Sequence, residues 1–127
     1  MTHPPSMGPA LHIHPHAPEA YYVLEGEYSI QYNNRVYQTK AGDFVFIPKG
    51  YPHKYQSGPN GGKVLVISPA GLEKYFREVA HILHIGHHTW ELEQEIAHCY
   101  GQEFLGDNRT QIAVFVLFNL VILHVSI

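Results

Sequence analysis

Hydrophobic and polar positions alternate over short segments in the first half of the chain, and glycine, proline or asparagine separates these segments. Such segments, rich in β-branched and aromatic residues, are typical of β-strands. The neighbouring Asn33 and Asn34 suit a two-residue hairpin turn, since asparagine tolerates positive φ. The predicted strands cover residues 20–24, 27–32, 35–39, 43–47, 53–56 and 63–68, whereas residues 1–8 are expected to form a loop or a frayed start. This succession of short strands predicts an all-β barrel or sandwich.

The hydrophobic period changes to that of helices after residue 68. A first helix is predicted to be capped by Ser68, with Pro69 in its first turn. A second helix is predicted to begin after Thr89 and to end at Gly101, with Cys99 on its apolar stripe. The apolar positions of the first helix are Leu72, Tyr75, Phe76 and Val79.

The last segment, residues 111–127, is mostly apolar. Asn119 and His124 interrupt it, and its length is at the short edge for a membrane span, so we expect no membrane association. Its β-branched residues are compatible with a buried strand or pair of strands. We treat residues 107–127 as an apolar tail whose role the pattern leaves open.

Composition excludes several classes of function. The 127 residues suffice for one domain with a real core, and the net charge of −3 is spread without a basic patch, so nucleic acid is not expected as a partner. Cys99 is the single cysteine, which rules out an intrachain disulfide and a thiolate metal site. With no signal-peptide pattern at the start, the sequence predicts a cytoplasmic protein.

Histidines and one carboxylate cluster just before the first predicted strand. His12 and His14 are two residues apart, so in an extended segment they point to the same face and can bind one ion together. Glu19 could be the third ligand, and His53, which follows a Pro/Gly turn, is a candidate for the fourth. A mixed imidazole and carboxylate set suits Fe, Mn, Ni, Co, Cu or Zn better than Ca or Mg.

Two motifs built around these residues resemble those of cupins. The first consists of a His-x-His pair, a glutamate and a glycine, here His12, His14, Glu19 and Gly26. The second consists of a glycine, Pro-x-Gly and a histidine, here Gly42, Pro48, Gly50 and His53. Both motifs occur in the expected order and spacing, and the later helix and residues 100–106 also look like small quercetin-dioxygenase-type cupins.

The resemblance implies an antiparallel cupin-type jelly-roll barrel over residues 1–68, with a helical extension over residues 69–106 packed outside the barrel. Only ten residues precede the first motif, so the barrel is expected to be short at this end. The resemblance also implies one divalent transition metal in the barrel, held by the two motifs. The implied ligands are His12, His14, Glu19 and His53.

Glu19 has two candidate roles. It is either a permanent ligand or a catalytic residue that takes a proton from the substrate. The expected pocket residues are Tyr21, Val23, Phe44, Phe46 and Tyr55. Tyr22 and Leu24 are apolar on the opposite strand face, which predicts a homodimer interface or a covering helix. His16 is expected to lie at the surface or just behind the ligands, and the histidines of residues 81–88 are expected to be solvated or packed.

Three functions remain open at this point. The first is a dioxygenase-like enzyme, similar to quercetin 2,3-dioxygenase, that acts on a small aromatic or oxygen-rich substrate. The second is a binding or sensing module that holds a metal or small ligand without turnover. The third is a cupin isomerase or decarboxylase, because a fold does not determine its chemistry.

Overall fold

The computed structural model describes residues 1–105 and 122–123, which contain eight β-strands and two α-helices. The described strands form one sheet, in which all pairs are antiparallel except β6 with β8. The fold is therefore mostly antiparallel β with helices beside the sheet, as predicted. The strands are β1 (Thr2–His3), β2 (His12–Ile13), β3 (Glu19–Tyr32), β4 (Arg35–Lys40), β5 (Phe44–Ile47), β6 (His53–Ile67), β7 (Glu103–Phe104) and β8 (Ile122–Leu123).

The two long strands β3 and β6 pair with each other and organise the sheet. On its other side, β3 pairs first with β5 and then with β4, across the hairpin of Asn33 and Asn34. These two asparagines have φ of 52° and 59°, as a tight hairpin turn requires. The sequence predicted two shorter strands in place of each long one, because turn-forming residues interrupt both patterns.

The interruption in β3 is a bend within a continuous strand. The register between β3 and β6 shifts on both sides of Gly26, whose φ is 76°. A Cβ at this position would lie 2.5 Å from the carbonyl oxygen of Gly61, so the two strands approach too closely for any side chain. Gly26, the last residue of the first motif, therefore allows the sheet to curve.

Residues 2 and 3 are part of the sheet, so the prediction of a loop or frayed start was wrong there, whereas residues 4–8 form a loop. In β1, Thr2 pairs with Lys63 and His3 with Gly62 of β6. The side chains of Met1 and His3 are buried against the core. The residues before the first motif therefore supply one strand. Its two residues are too few to show an alternation of hydrophobic and polar positions, so the sequence pattern could not predict it.

The core fills the inner face of the curved sheet. Along β3 the inward residues alternate with outward ones, as expected for a strand that is buried on one face. Aromatic side chains occupy much of the interior. The buried members of this core are Met1, Tyr21, Val23, Tyr28, Ile30, Ile47, Tyr55, Val64 and Val66.

The two helices pack together beside the sheet as α1 (Leu72–His84) and α2 (Trp90–Cys99). Thr89 caps α2 as predicted, because its side chain accepts a hydrogen bond from the Leu92 amide. The predicted cap at Ser68 was wrong, since Gly71, with φ of 90°, precedes α1 instead. Cys99 is exposed rather than part of the apolar stripe. The helices share an apolar cluster of Leu72, Tyr75, Val79, Ile96 and Ala97.

A buried carboxylate joins the two helices. Glu93 of α2 is fully buried and accepts a hydrogen bond of 2.8 Å from the Tyr75 hydroxyl of α1. Its other oxygen binds Nε2 of His88, just before α2. A buried polar group is costly unless it is hydrogen-bonded, so the contact of Tyr75 with Glu93 ties the two helices to each other.

Within the described part of the chain, neither helix has the length and apolar character needed to cross a membrane. The predictions made for residues 107–127 lie outside the described residues, apart from Ile122 and Leu123. These two residues form β8 and pair with Val66 and Ile67 at the end of β6.

Candidate metal centre

Three strands and one corner bring the predicted ligands together. His12 of β2 is the direct cross-strand partner of His53, the first residue of β6, and Glu19 begins β3. His14 follows β2, and its carbonyl oxygen accepts a 2.8 Å hydrogen bond from the Gly50 amide. The Pro-x-Gly corner of the second motif is thus bonded directly to the first motif.

The four side chains are buried and their ligand atoms converge. His12, His14, Glu19 and His53 each offer one nitrogen or oxygen atom, and these atoms all lie within 4.8 Å of one another. None of the four residues is more than 4% exposed. The imidazole centroid of His12 lies 4.9 Å from that of His14 and 4.3 Å from that of His53. Such a group could bind a metal ion.

Backbone carbonyls orient two of the imidazoles. Nδ1 of His12 lies 2.7 Å from the Ala10 carbonyl oxygen, and Nδ1 of His53 lies 2.8 Å from that of Tyr51. A carbonyl can only accept, so in both rings Nδ1 carries a proton, and Nε2 is the nitrogen directed toward the other ligands. Protein ligands of metal ions are commonly oriented by hydrogen bonds of this type.

His14 provides an independent test of whether a metal fits. Its side chain is buried, and within the described residues neither ring nitrogen has a hydrogen-bond partner. Nε2 lies 3.0 Å from Oε2 of Glu19, but not in a geometry that makes a hydrogen bond. A buried polar atom without a partner is costly, and a cation between the imidazoles and the carboxylate would remove that cost. The residues therefore fit a metal.

Electrostatics also suit metal binding. Burial, together with the neighbouring His53 and His14, lowers the pKa of His12 to about 3, so this ring is neutral at pH 7. Burial alone would raise the pKa of Glu19, but His14 and His53 beside it hold that pKa well below its usual range. Neutral imidazole and ionised carboxylate are the protonation states that a metal ion requires.

A tyrosine hydroxyl contacts the same carboxylate. The hydroxyl of Tyr21 donates a hydrogen bond to Oε1 of Glu19. Burial and the nearby Glu19 charge raise the pKa of Tyr21 well above its usual value, so the hydroxyl keeps its proton and remains a donor. Strand parity had placed Tyr21 on the inner face, but no sequence signal indicated that its hydroxyl contacts Glu19.

The space next to the site is small. An interior cavity of about 20 Å³ borders His12 and Glu19. Helix α1 and β7 close it through Leu72, Tyr75 and Phe104, and Tyr55 forms another part of its wall. Among the other predicted pocket residues, Tyr21 and Val23 are fully buried in the core beside the site.

Phe44 and Phe46 differ from their predicted position inside the barrel. They are 58% and 53% exposed, and in β5 it is Val45 and Ile47 that pack against the core. The two phenylalanines line an open groove of about 480 Å³ on the outer side of the sheet, which also borders Glu19. Both faces of this strand are apolar, so alternation alone could not show which face is internal.

The remaining histidines differ in how deeply they are buried. His16 is exposed and lies outside the converging group, in agreement with its predicted surface role. His88 pairs with buried Glu93, a partner that the sequence analysis missed because it lies on the following helix. His3 was also missed: it is buried, with Nδ1 2.7 Å from the Tyr28 hydroxyl and Nε2 3.4 Å from the Tyr55 hydroxyl.

The chain is similar to several known proteins. An uncharacterized protein of Methanocaldococcus jannaschii is 38% identical over 47 residues, which are 37% of this chain and 38% of that protein. A solved structure from Thermus thermophilus is 26% identical, with a TM-score of 0.49, over 51% of this chain and 63% of that chain. A structure described as a predicted oxalate decarboxylase from Thermotoga maritima is 33% identical, with a TM-score of 0.44, over 52% of this chain and 56% of that chain.

The chain thus spans about two fifths of the length of the curated relative that it matches. The family model described as the cupin domain matches residues 1–68, which is just over half of the chain. The matched range contains both histidine motifs and the four converging side chains. This protein belongs to the cupin family.

Proposed function

We propose that this protein is a mononuclear metal-dependent enzyme of the dioxygenase-like type that acts on a small aromatic or oxygen-rich substrate. The observation that carries the proposal is the convergence of four buried donor groups, of which His14 has no hydrogen-bond partner within the described residues. The proposed cofactor is one divalent transition metal, drawn from Fe, Mn, Ni, Co, Cu and Zn.

Three neutral imidazoles and one carboxylate around a divalent ion would leave one net positive charge, which anchors and acidifies an anionic oxygen of a substrate. The chain offers four side chains for a metal that commonly takes six ligands, so positions remain for substrate. His12 and His53 are held in place by carbonyl oxygens, and the burial of all four donors excludes bulk water.

Glu19 is the proposed catalytic residue. It is ionised, it lies at the edge of the interior cavity, and its carboxylate is a base that accepts a substrate proton. Tyr21, Val23 and Tyr55 are proposed as apolar and aromatic walls that surround the reacting atoms rather than as proton donors. Burial is the main factor that raises the pKa of both tyrosines, which supports this assignment.

The size of the interior favours a small substrate. A cavity of about 20 Å³ holds little more than a water molecule by the usual measure of such cavities. Pockets for drug-sized ligands are larger by roughly a factor of ten or more. A flavonol would therefore require the helices to move away, whereas a small oxygen-rich anion needs a much smaller displacement.

We also propose a homodimer and a cytoplasmic location. Tyr22 and Leu24 are 39% and 43% exposed on the outer face of β3, and Phe44 is the direct cross-strand neighbour of Tyr22. Together with Phe46 these side chains form an exposed apolar face, the kind of surface that a second subunit covers. The single cysteine supports a reducing compartment.

Metal analysis of the protein purified from metal-replete medium tests the proposal first. We expect about one equivalent of a single transition metal per chain. Less than about half an equivalent would contradict the metal site itself. Oxygen uptake with a panel of small enols, diketones, catechols and thiols then tests the reaction: turnover with uptake supports a dioxygenase, and turnover without uptake supports an isomerase or decarboxylase. A metal-loaded protein that turns over no member of the panel would favour a binding or sensing role.

A further inference from the structure

We infer that Tyr21 is a positioning residue that makes Glu19 a ligand through one oxygen only. The inference rests on the proposed metal site and concerns how the carboxylate is held there. The two carboxylate oxygens have different surroundings. Oε1 accepts the hydrogen bond from the Tyr21 hydroxyl and lies 3.3 Å from Nε2 of His53, whereas Oε2 lies 3.0 Å from Nε2 of His14.

Tyr21 is itself firmly placed. Its side chain is fully buried, and its backbone lies in the middle of three strands, paired with Val45 of β5 and Val66 of β6. Its ring packs edge-on against Tyr55, with centroids 4.8 Å apart. The hydroxyl therefore reaches Oε1 from a rigid part of the sheet, and it holds the carboxylate plane in one orientation.

Tyr21 affects how many coordination positions of a bound metal the protein itself would fill. Both carboxylate oxygens lie near an imidazole, but the Tyr21 hydroxyl already engages Oε1, so Oε2 is the oxygen left for a cation. Without the hydroxyl, both oxygens would be free to turn toward a cation, and one position now open to substrate would be filled by protein. Tyr21 thus controls both the affinity for the metal and the room beside it.

Tyr28 gives a matched control for an experiment. It is also a buried tyrosine of β3, but it does not line the cavity, and its hydroxyl lies 2.7 Å from Nδ1 of His3. The changes Tyr21→Phe and Tyr28→Phe therefore each remove one buried hydroxyl. One of them removes a contact to the proposed ligand and the other does not.

The experiment titrates Co²⁺ into the metal-free full chain and records both the dissociation constant and the visible absorption of the bound ion. We expect Tyr21→Phe to weaken binding about 10- to 100-fold, the usual effect of losing a hydrogen bond to a metal ligand, and to change the absorption spectrum. We expect Tyr28→Phe to change the affinity less than about twofold and to keep the wild-type spectrum.

Equal affinities and equal spectra for the two variants would overturn the role of Tyr21, provided that wild type binds and His53→Ala does not. If wild type binds no Co²⁺, the proposed metal site fails as well. The wild-type chain offers a second readout that needs no variant at Tyr21. In the infrared difference spectrum between Zn²⁺-loaded and metal-free protein, a wide separation of the two carboxylate stretches supports ligation through one oxygen, and a narrow one overturns it.

Discussion

His12 and His53 face each other across β2 and β6, and the same type of hydrogen bond to the backbone orients both rings. Each imidazole donates from Nδ1 to the carbonyl oxygen of the residue two positions earlier, which is Ala10 for His12 and Tyr51 for His53. The ring centroids lie 4.3 Å apart. Neither ring can turn its Nε2 away from the centre without breaking this hydrogen bond, so both are preorganised before a metal arrives.

Replacement of His53 by alanine should abolish metal retention. The change removes one of the four converging donors and leaves Glu19 without its 3.3 Å contact to Nε2 of His53. We expect the metal content to fall from about one equivalent per chain to a small fraction of that. Elemental analysis after purification measures it, and His16→Ala is the control because His16 lies between His14 and Glu19 in the sequence but is exposed. Full stoichiometry in His53→Ala would show that the ligand set is different.

Replacement of Glu93 by alanine should destabilise the protein strongly. The change leaves the Tyr75 hydroxyl and the His88 imidazole without their described carboxylate partner in the space between the helices. We expect the free energy of unfolding to fall by about 2–4 kcal/mol, measured by urea denaturation. Glu91→Ala in the same helical turn is exposed and should cost under about 1 kcal/mol. Similar losses in the two variants would mean that the buried contacts contribute little.

Acid should destabilise the protein through His3. Burial and the neighbouring terminal ammonium lower the pKa of His3 to about 3, against an ordinary value of 6.5. Between these two values the unfolded chain binds a proton at His3 and the folded chain does not, so stability falls as the pH falls from 6.5 toward 3.

The comparison of wild type with His3→Gln isolates this contribution, since the other buried groups remain in both chains. From pH 7 to pH 5 we expect wild type to lose about 2 kcal/mol more stability than the variant. Urea midpoints at the two pH values, measured on metal-free protein, provide the check. Parallel losses in both chains would show that His3 does not titrate in this way.

An acidic residue on the outer face of β5 should separate the proposed homodimer. Phe46 is 53% exposed and lies beside Ala20 of β3 in the apolar face. Sedimentation velocity should give a dimer for wild type and a monomer for Phe46→Asp. Val36→Asp, at an exposed apolar position on β4, should leave the dimer intact. A monomeric wild type, or a variant that remains dimeric, would contradict this interface.

The sequence predicted the convergence of four side chains better than it predicted the sheet. His12, His14, Glu19 and His53 belong to motifs with fixed spacing, and the structure brings their ligand atoms together. The hairpin at Asn33 and the cap at Thr89 also followed from local chemistry, because a positive φ and a free helix amide each demand particular residue types.

Features set by distant parts of the chain could not be predicted in this way. The β1 strand at Thr2 and His3 exists because β6 offers it an edge, and the orientation of Phe44 depends on which face of β5 meets the core. The contact of Glu93 with Tyr75 is also tertiary, since 18 residues separate the two. Local patterns contain no information on such partners.

Tyr75 contributes both to the wall of the cavity and to the contact between the two helices. Its ring lines the interior cavity beside His12 and Glu19, and its hydroxyl holds Glu93 of the second helix. A molecule that displaces this ring on its way to the centre must also break the bond between the helices. Entry past this side chain is therefore coupled to helix separation, and the rate at which α1 opens, observable as amide hydrogen exchange along that helix, sets an upper limit on passage by this route.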